Sequence, residues 1–203
     1  TPCEHSFPTR RSSDLAGVAR EQLWLTSKLW NSFHRPEQVE GAVNESLRLL
    51  GTTYLDLYII HWPVAFSVDP TKANGYKPTL DQRLTEDPMP TWRALEALVK
   101  KGTLKNIGIS NFTRAKAQKL YDQAVIKPAV NQVRQVNLAR PPRPLLTLAV
   151  NQVELSLGCP QPDLVEWSKK SGVLLESYSP LGSTGATHRD DPVVRRFASA
   201  LAA

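Results

Sequence analysis

The sequence predicts an α/β fold built on a parallel sheet. Three observations carry this expectation: short apolar runs alternate with amphipathic ones, several amphipathic runs open on proline or close on glycine, and each apolar run delivers a polar or aromatic group near its C-terminal end. Five runs, 23–27, 55–60, 106–110, 150–155 and 173–178, are short and largely apolar, as parallel strands covered on both faces must be.

The intervening segments read as helices. Residues 36–50 place Val39, Val43, Leu47 and Leu50 on one stripe, with Pro36 at the start and Gly51 just past the end. The spacing predicts a second helix over 90–101, burying Trp92, Leu95 and Val99 and closing on Gly102. A third, 113–124, starts at a Thr113 cap and buries Ala117, Leu120 and Ala124. A fourth, 162–171, buries Leu164 and Trp167 and stops at Gly172, and 192–203 reads as a fifth. Residues 64–88 show little periodicity and read as a long connection of the lid or binding-loop kind. No GxGxxG follows a strand, which removes the main signature of a dinucleotide-binding open sheet; a closed β/α barrel is the competing architecture.

Length and composition narrow the function classes. The chain has 203 residues, enough for one domain with a sizeable core. A full eight-fold β/α barrel typically takes ~250. No apolar run approaches the ~20 residues of a membrane span, and the first fourteen residues hold no signal-like apolar block. Two cysteines, Cys3 and Cys159, make neither a disulfide framework nor a cysteine-based zinc site, so a reducing, cytoplasmic setting is expected. The formal charge of +6 raises the question of a nucleic-acid or other polyanionic partner, but the basic residues are scattered along helices instead of clustered with exposed aromatics. Neither a nucleic-acid nor a membrane partner is expected.

Two stretches differ from the rest. Residues 1–15, TPCEHSFPTRRSSDL, follow neither period, and SFPTRRSSDL looks like the translation of a sequencing-library adapter; they read as a non-native, disordered leader. Further on, Ala129-Val130-Asn131-Gln132-Val133 recurs as Ala149-Val150-Asn151-Gln152-Val153, and deleting 133–152 rejoins KPAVNQ to VELSLGCPQ. The twenty residues read as an insert from a retained in-frame intron, with a true loop insertion as the alternative; a mature message that keeps these codons would exclude the intron. The leader carries no net charge and the insert carries Arg134, Arg140 and Arg143 with no acid, so half of the formal charge lies in the insert. The second copy is the expected strand, because Glu154-Leu155 continues it.

The strand ends carry the chemistry. They deliver Lys28 followed by Trp30, His61 followed by Trp62, Ser110-Asn111, Gln152 on the AVNQ run, and Tyr178-Ser179. In parallel β/α folds these ends share one face, and that face carries the site. Each residue has an ordinary alternative: a solvated lysine, a core histidine, a helix cap at Ser110-Asn111, tryptophans and a tyrosine packed in the wall. Together they suggest a pocket for carbonyl chemistry on a planar ligand. No paired carboxylates or metal-ligand spacing accompanies them.

The stretches LWLTSKLWNSFHRPEQVE, LGTTYLDLYIIHWPVAF, WRALEALVKKGTLKNIGISNF, AVNQVELS and SYSPLGS resemble the aldo-keto reductase family, in family order and with a fungal flavour. The resemblance covers about 16–198. It implies a partial TIM-type (β/α)8 barrel over 16–203, holding about five of eight units, the third to seventh strands. It further implies reduction of a small-molecule aldehyde or ketone by NADPH, oxidised to NADP, in a monomeric parent. By that resemblance Lys28 lowers the pKa of a tyrosine acid and His61 orients the carbonyl. Ser110, Asn111 and Gln152 bind the carboxamide, and Tyr178 stacks on the nicotinamide. Ser179, Leu181 and Ser183 contact the pyrophosphate, and Trp30 and Trp62 line the substrate pocket.

The family's Asp and Tyr lie upstream of LTSK, where this chain has the leader, and none of Tyr54, Tyr58, Tyr76, Tyr121 or Tyr178 holds the acid position. The polypeptide as written is therefore expected to be an inactive fragment of an active enzyme family. The alternative is a non-catalytic module that binds the nicotinamide cofactor for regulation, like the barrel-type β-subunits of potassium channels.

Overall fold

A computed structural model describes residues 17–67, 78–128, 150–154, 160–178 and 191–201, with 150–154, 178, 197, 198 and 201 described in backbone only. The leader and nearly all of the 133–152 insert lie outside the described residues. Five strands form one parallel sheet: β1 (Thr26–Leu29), β2 (Leu57–Ile60), β5 (Ile107–Ser110), β6 (Val150–Glu154) and β7 (Leu174–Tyr178), in that order. Helix α1 (Pro36–Leu50) links β1 to β2, α3 (Met89–Lys100) precedes β5, α4 (Arg114–Gln123) follows it, α5 (Pro162–Ser171) links β6 to β7, and α6 (Pro192–Leu201) comes last. The strand at β6 is the second AVNQ copy, paired with β5 through Asn151 and Gln152 and with β7 along its whole length.

The sheet has two unequal faces. Alternation sends Leu29, Tyr58, Ile60, Ile107, Ile109 and Leu175 toward the helices, where they join Val39, Val43, Leu47, Trp92, Leu95, Leu120 and Trp167 in the main core. The opposite face holds a small cluster of Leu57 and Ile59 with Leu174 against it. Helix boundaries follow their signals. Pro36 opens α1, and Gly51, at φ 60°, accepts the left-handed turn that ends it. Thr113 caps α4, its hydroxyl accepting from the Lys116 N–H, and Gly172, at φ 73°, closes α5.

Three expectations need correction. The first strand begins at Thr26, not at 23, because the preceding residues are held elsewhere: the Arg20 guanidinium donates to the Leu23 carbonyl and the Asp56 carboxylate accepts the Leu25 N–H. The strand also runs on to Leu29, so Lys28 lies within it and not beyond its end. In α3, Leu98 is buried and Val99 only partly, while Glu96 is also buried. Residues 64–88 are not structureless: β3 (Ala65–Ser67) and β4 (Thr79–Asp81) pair antiparallel, and α2 (Gln82–Glu86) follows, capped by Asp81 accepting from the Leu84 N–H.

Candidate active site

The C-terminal edge of β1, β2 and β5 is built by ladder register. Lys28 is the Cα partner of Ile59, and Ile59 faces the inner cluster, so Lys28 stands on the inner face. One residue beyond β2, the His61 N–H donates to the Leu29 carbonyl at 3.1 Å, which carries the ladder up to the imidazole. The ring sits beside two tryptophans, edge-on to Trp30 at 5.1 Å between centroids and near-parallel to Trp62 at 6.2 Å. Trp30 and Trp62 are 39% and 41% exposed, so they form a rim and not core.

At the end of β5 the chain turns through Asn111, a non-glycine residue in the left-handed region at φ 63°. Its amide accounts for the strained backbone: Nδ2 donates to the His61 carbonyl at 2.9 Å and to the Ser110 Oγ at 3.1 Å. This ties the ends of β2 and β5, whereas the cap of α4 is left to Thr113. Ser110 is buried and is the Cα partner of Gln152, which in turn is the partner of Glu176. Tyr178 is the last residue of β7, level with Glu154. The structure thus brings together Lys28, Trp30, His61, Trp62, Ser110 and Asn111, with Gln152 and Tyr178 placed along the same edge by register. Ser179, Leu181 and Ser183 lie outside the described residues.

Burial holds the Lys28 ammonium below the ordinary lysine range, and the Glu176 carboxylate offsets part of that effect. The three tyrosines with described side chains are engaged elsewhere. Tyr58 is buried on the helix side with its hydroxyl bonded to Ser46, and burial raises it to about 12. Tyr54 lies under the Arg20 guanidinium, 3.9 Å from its centroid, and the Tyr121 hydroxyl donates to the Ser171 carbonyl. Among the described residues no group of three His, Cys, Asp or Glu could hold a metal, and no helix is long and apolar enough to cross a membrane.

Sequence reading missed two features of the rim. Glu176 follows Leu174 at the two-residue spacing that repeats a face, a signal present in LLESY. His34 is 2% exposed beneath the β3–β4 hairpin, and that burial depends on a contact no local pattern encodes. Arg35 straps the hairpin down, donating to the Ser67 Oγ at 2.7 Å and lying 3.8 Å from the Asp81 carboxylate. The Thr91 hydroxyl donates to the His34 carbonyl, while the His34 Nε2, Asn31 Oδ1 and Gln38 Oε1 have no hydrogen-bond partner among the described residues.

Burial lowers the His34 pKa to about 4 from its ordinary 6.5, against the pull of Asp81. Between those values the unfolded chain binds the proton and the folded chain does not, so stability falls as pH drops through this window. The loss reaches about 3 kcal/mol near the lower limit. Urea unfolding at neutral and acid pH should show it in the parent chain and not in His34→Gln; equal losses in both would refute it.

A model of the aldo/keto reductase family matches residues 11–152. The chain is 37% identical over 191 residues to a glycerol 2-dehydrogenase (NADP(+)) of Hypocrea jecorina, covering 89% of this chain and 54% of that protein. It is 40% identical over 172 residues to an NAD(P)H-dependent D-xylose reductase of Candida tropicalis, covering 81% and 47%. The solved aldose reductase of Schistosoma japonicum superposes with a TM-score of 0.73 at 31% identity, covering 95% of this chain and 56% of that one. The chain spans about half the length of the curated relatives it matches. Its parallel sheet is the partial TIM-type (β/α)8 barrel expected from the motifs, five strands with their helices. With family model, relatives and solved structures in agreement, the chain belongs to the aldo/keto reductase family.

Proposed function

We propose that this chain forms the cofactor- and substrate-facing part of a cytoplasmic oxidoreductase that reduces aldehydes and ketones to alcohols, with NADPH as the hydride source. The observation that carries the reading is the convergence of Lys28, His61, Ser110 and Asn111 on one sheet edge, rimmed by half-exposed Trp30 and Trp62. Two relatives, one named as an NADP(+) enzyme and one as an NAD(P)H-dependent enzyme, support the cofactor class. The polar set suits a nicotinamide carboxamide: a hydroxyl at Ser110 and the amide oxygen of Asn111, whose N–H2 group is bonded to His61 and Ser110, with a second amide at Gln152 in register. Tyr178, at the end of β7, is the residue assigned to stack on the ring. Ser179, Leu181 and Ser183 are assigned to the pyrophosphate.

When bound, the cofactor supplies hydride to the carbonyl carbon. The protein's tasks are to orient the carbonyl, exclude water and deliver a proton to its oxygen. His61, whose backbone is held through its N–H to Leu29 and its carbonyl to Asn111, is the residue assigned to hydrogen-bond that oxygen. The Lys28 ammonium stabilises the conjugate base of a neighbouring acid and so lowers its pKa. Trp30 and Trp62 supply apolar walls for the substrate. Tyr54, Tyr58 and Tyr121, the tyrosines with described side chains, are engaged elsewhere, which supports the expectation that the 203-residue polypeptide does not turn over.

Fluorescence titration with NADPH tests the reading. Asn111→Ala should weaken binding by about tenfold, equivalent to ~1.4 kcal/mol. Absence of saturable binding, or affinity indifferent to Asn111, would sink it. Oxidation of NADPH with an aromatic aldehyde above a Lys28→Met control would overturn the inactivity of this polypeptide. Binding without turnover by the whole parent protein would favour the regulatory reading.

A further inference from the structure

We propose that Arg35 is a positioning residue for the substrate rim: its bridge to the β3–β4 hairpin fixes the gap between Trp30 and Trp62 that a carbonyl substrate enters. The proposal rests on the functional reading above for what the rim admits; the bridge itself stands on geometry. Arg35 occupies the N-cap of α1, and its guanidinium reaches both strands of the hairpin. Nη2 donates to the Ser67 Oγ at 2.7 Å, at the end of β3, and Nε lies 3.8 Å from the Asp81 carboxylate, at the end of β4. Trp30 opens the helical turn Asn31–Phe33, its carbonyl accepting the Phe33 N–H at 3.0 Å, and Arg35 lies just beyond that turn. Trp62 lies just before β3. The bridge therefore closes a ring. It runs from Trp30 through the turn to Arg35, across to Ser67, and back along β3 to Trp62. His61 completes it, with its ring 5.1 Å from Trp30 and 6.2 Å from Trp62.

Other anchors hold one side of this ring or the other. On the Trp30 side, the His34 carbonyl accepts from the Thr91 hydroxyl of α3. On the Trp62 side, the Lys116 ammonium donates to the Pro63 carbonyl at 3.3 Å, and the Ala65 N–H donates to the Thr85 Oγ1 at 2.9 Å. The Arg35 bridge instead joins one side to the other. Asp81 also caps α2 by accepting the Leu84 N–H, which orients its carboxylate before the guanidinium reaches it. With the Arg35 side chain 43% exposed, the ion pair adds little to global stability. Its consequence is local. Half-exposed indoles are not confined by core packing, so their separation follows the backbones that carry them. A small displacement of such walls changes how well a substrate is oriented, even where the fold is unaltered.

Fluorine NMR of the full chain labelled with 5-fluorotryptophan reads its five tryptophans separately, each assigned by a single Trp→Phe change. In Arg35→Ala the Trp30 and Trp62 resonances should both shift, while those of Trp92 and Trp167, buried in the main core, stay in place. Ser67→Ala, which deletes one hydroxyl, should shift the same two by less. Arg35→Lys, with a point charge in place of a fork, should bring them part of the way back. Benzaldehyde, added with NADPH as the probe and read on the rim resonances, should bind about threefold more weakly to Arg35→Ala, the scale a half-exposed bridge supplies. Rim resonances unmoved in folded Arg35→Ala, or equal benzaldehyde affinity, overturn the proposal. If Trp92 shifts as well, the core has loosened, and Ser67→Ala decides in its place: rim resonances unmoved there overturn the proposal too. Failure of the NADPH titration, with the rim still displaced in Arg35→Ala, sinks the functional reading and leaves the bridge standing, so the two fail separately.

Discussion

Replacing Trp92 with alanine is expected to cost about 4 kcal/mol, within the range for losing a buried tryptophan and leaving its cavity. Trp92 is fully buried among the helix-side core, and its indole N–H donates to the Ile126 carbonyl at 3.1 Å. The indole therefore does two things: it fills the space between α3 and the sheet, and it pins the turn after α4. Trp92→Phe separates them, keeping most of the apolar volume while losing the bond, and should cost much less. Urea unfolding followed by far-UV circular dichroism measures both. Similar costs for the two variants would show that the hydrogen bond, not the cavity, dominates.

Glu96→Ala is expected to cost about 3 kcal/mol, through stranded donors and not through lost packing. The Glu96 carboxylate is buried one turn from Trp92, and its Oε1 accepts the N–H groups of Val125 and Ile126 at 2.8 and 2.9 Å. Its other oxygen accepts from Arg93 at 2.8 Å. Removing the side chain leaves two backbone donors without an acceptor, whereas half-exposed Arg93 turns to water at little cost. Glu96→Gln retains an acceptor and should lose about half as much, because bonds to a charged oxygen are roughly twice as strong. Trp92 and Glu96 hold the same turn, so the double variant should fall short of the sum by about 1 kcal/mol. Strict additivity would mean that the turn is held independently by each.

The two residues illustrate how far local pattern reaches. Trp92 was legible as a core residue from its spacing with Leu95, but Glu96 breaks the apolar stripe and reads as a surface charge until the turn at 125–126 is folded onto it. The stripe of α1, by contrast, was fully readable, since Val39, Val43, Leu47 and Leu50 need only helical spacing to meet the sheet. The start of β1 was misread for a comparable reason. Leu23–Leu25 are strand-like in composition, yet Arg20 and Asp56 take their polar groups, with Asp56 thirty-one positions from Leu25. The hairpin over β3 and β4 escaped because its strands are three residues each, too short for a period to show.

The site divides in the same way. Sequence alone determined that His61, Ser110 and Asn111 would share an edge, because parallel β/α order forces all C-terminal ends to one side, whereas Lys28, read as following β1, lies inside it. It also put Trp30 and Trp62 next to strand ends, but the meeting of Trp30 with the His61 ring joins two strands and is tertiary. Only the tertiary structure decided that Asn111 spends its amide on the His61 carbonyl and that His34 is buried, with Arg35 strapping the adjacent hairpin down. Each of these depends on register between strands distant in sequence, and register is set by packing and ladder geometry that no local spacing contains.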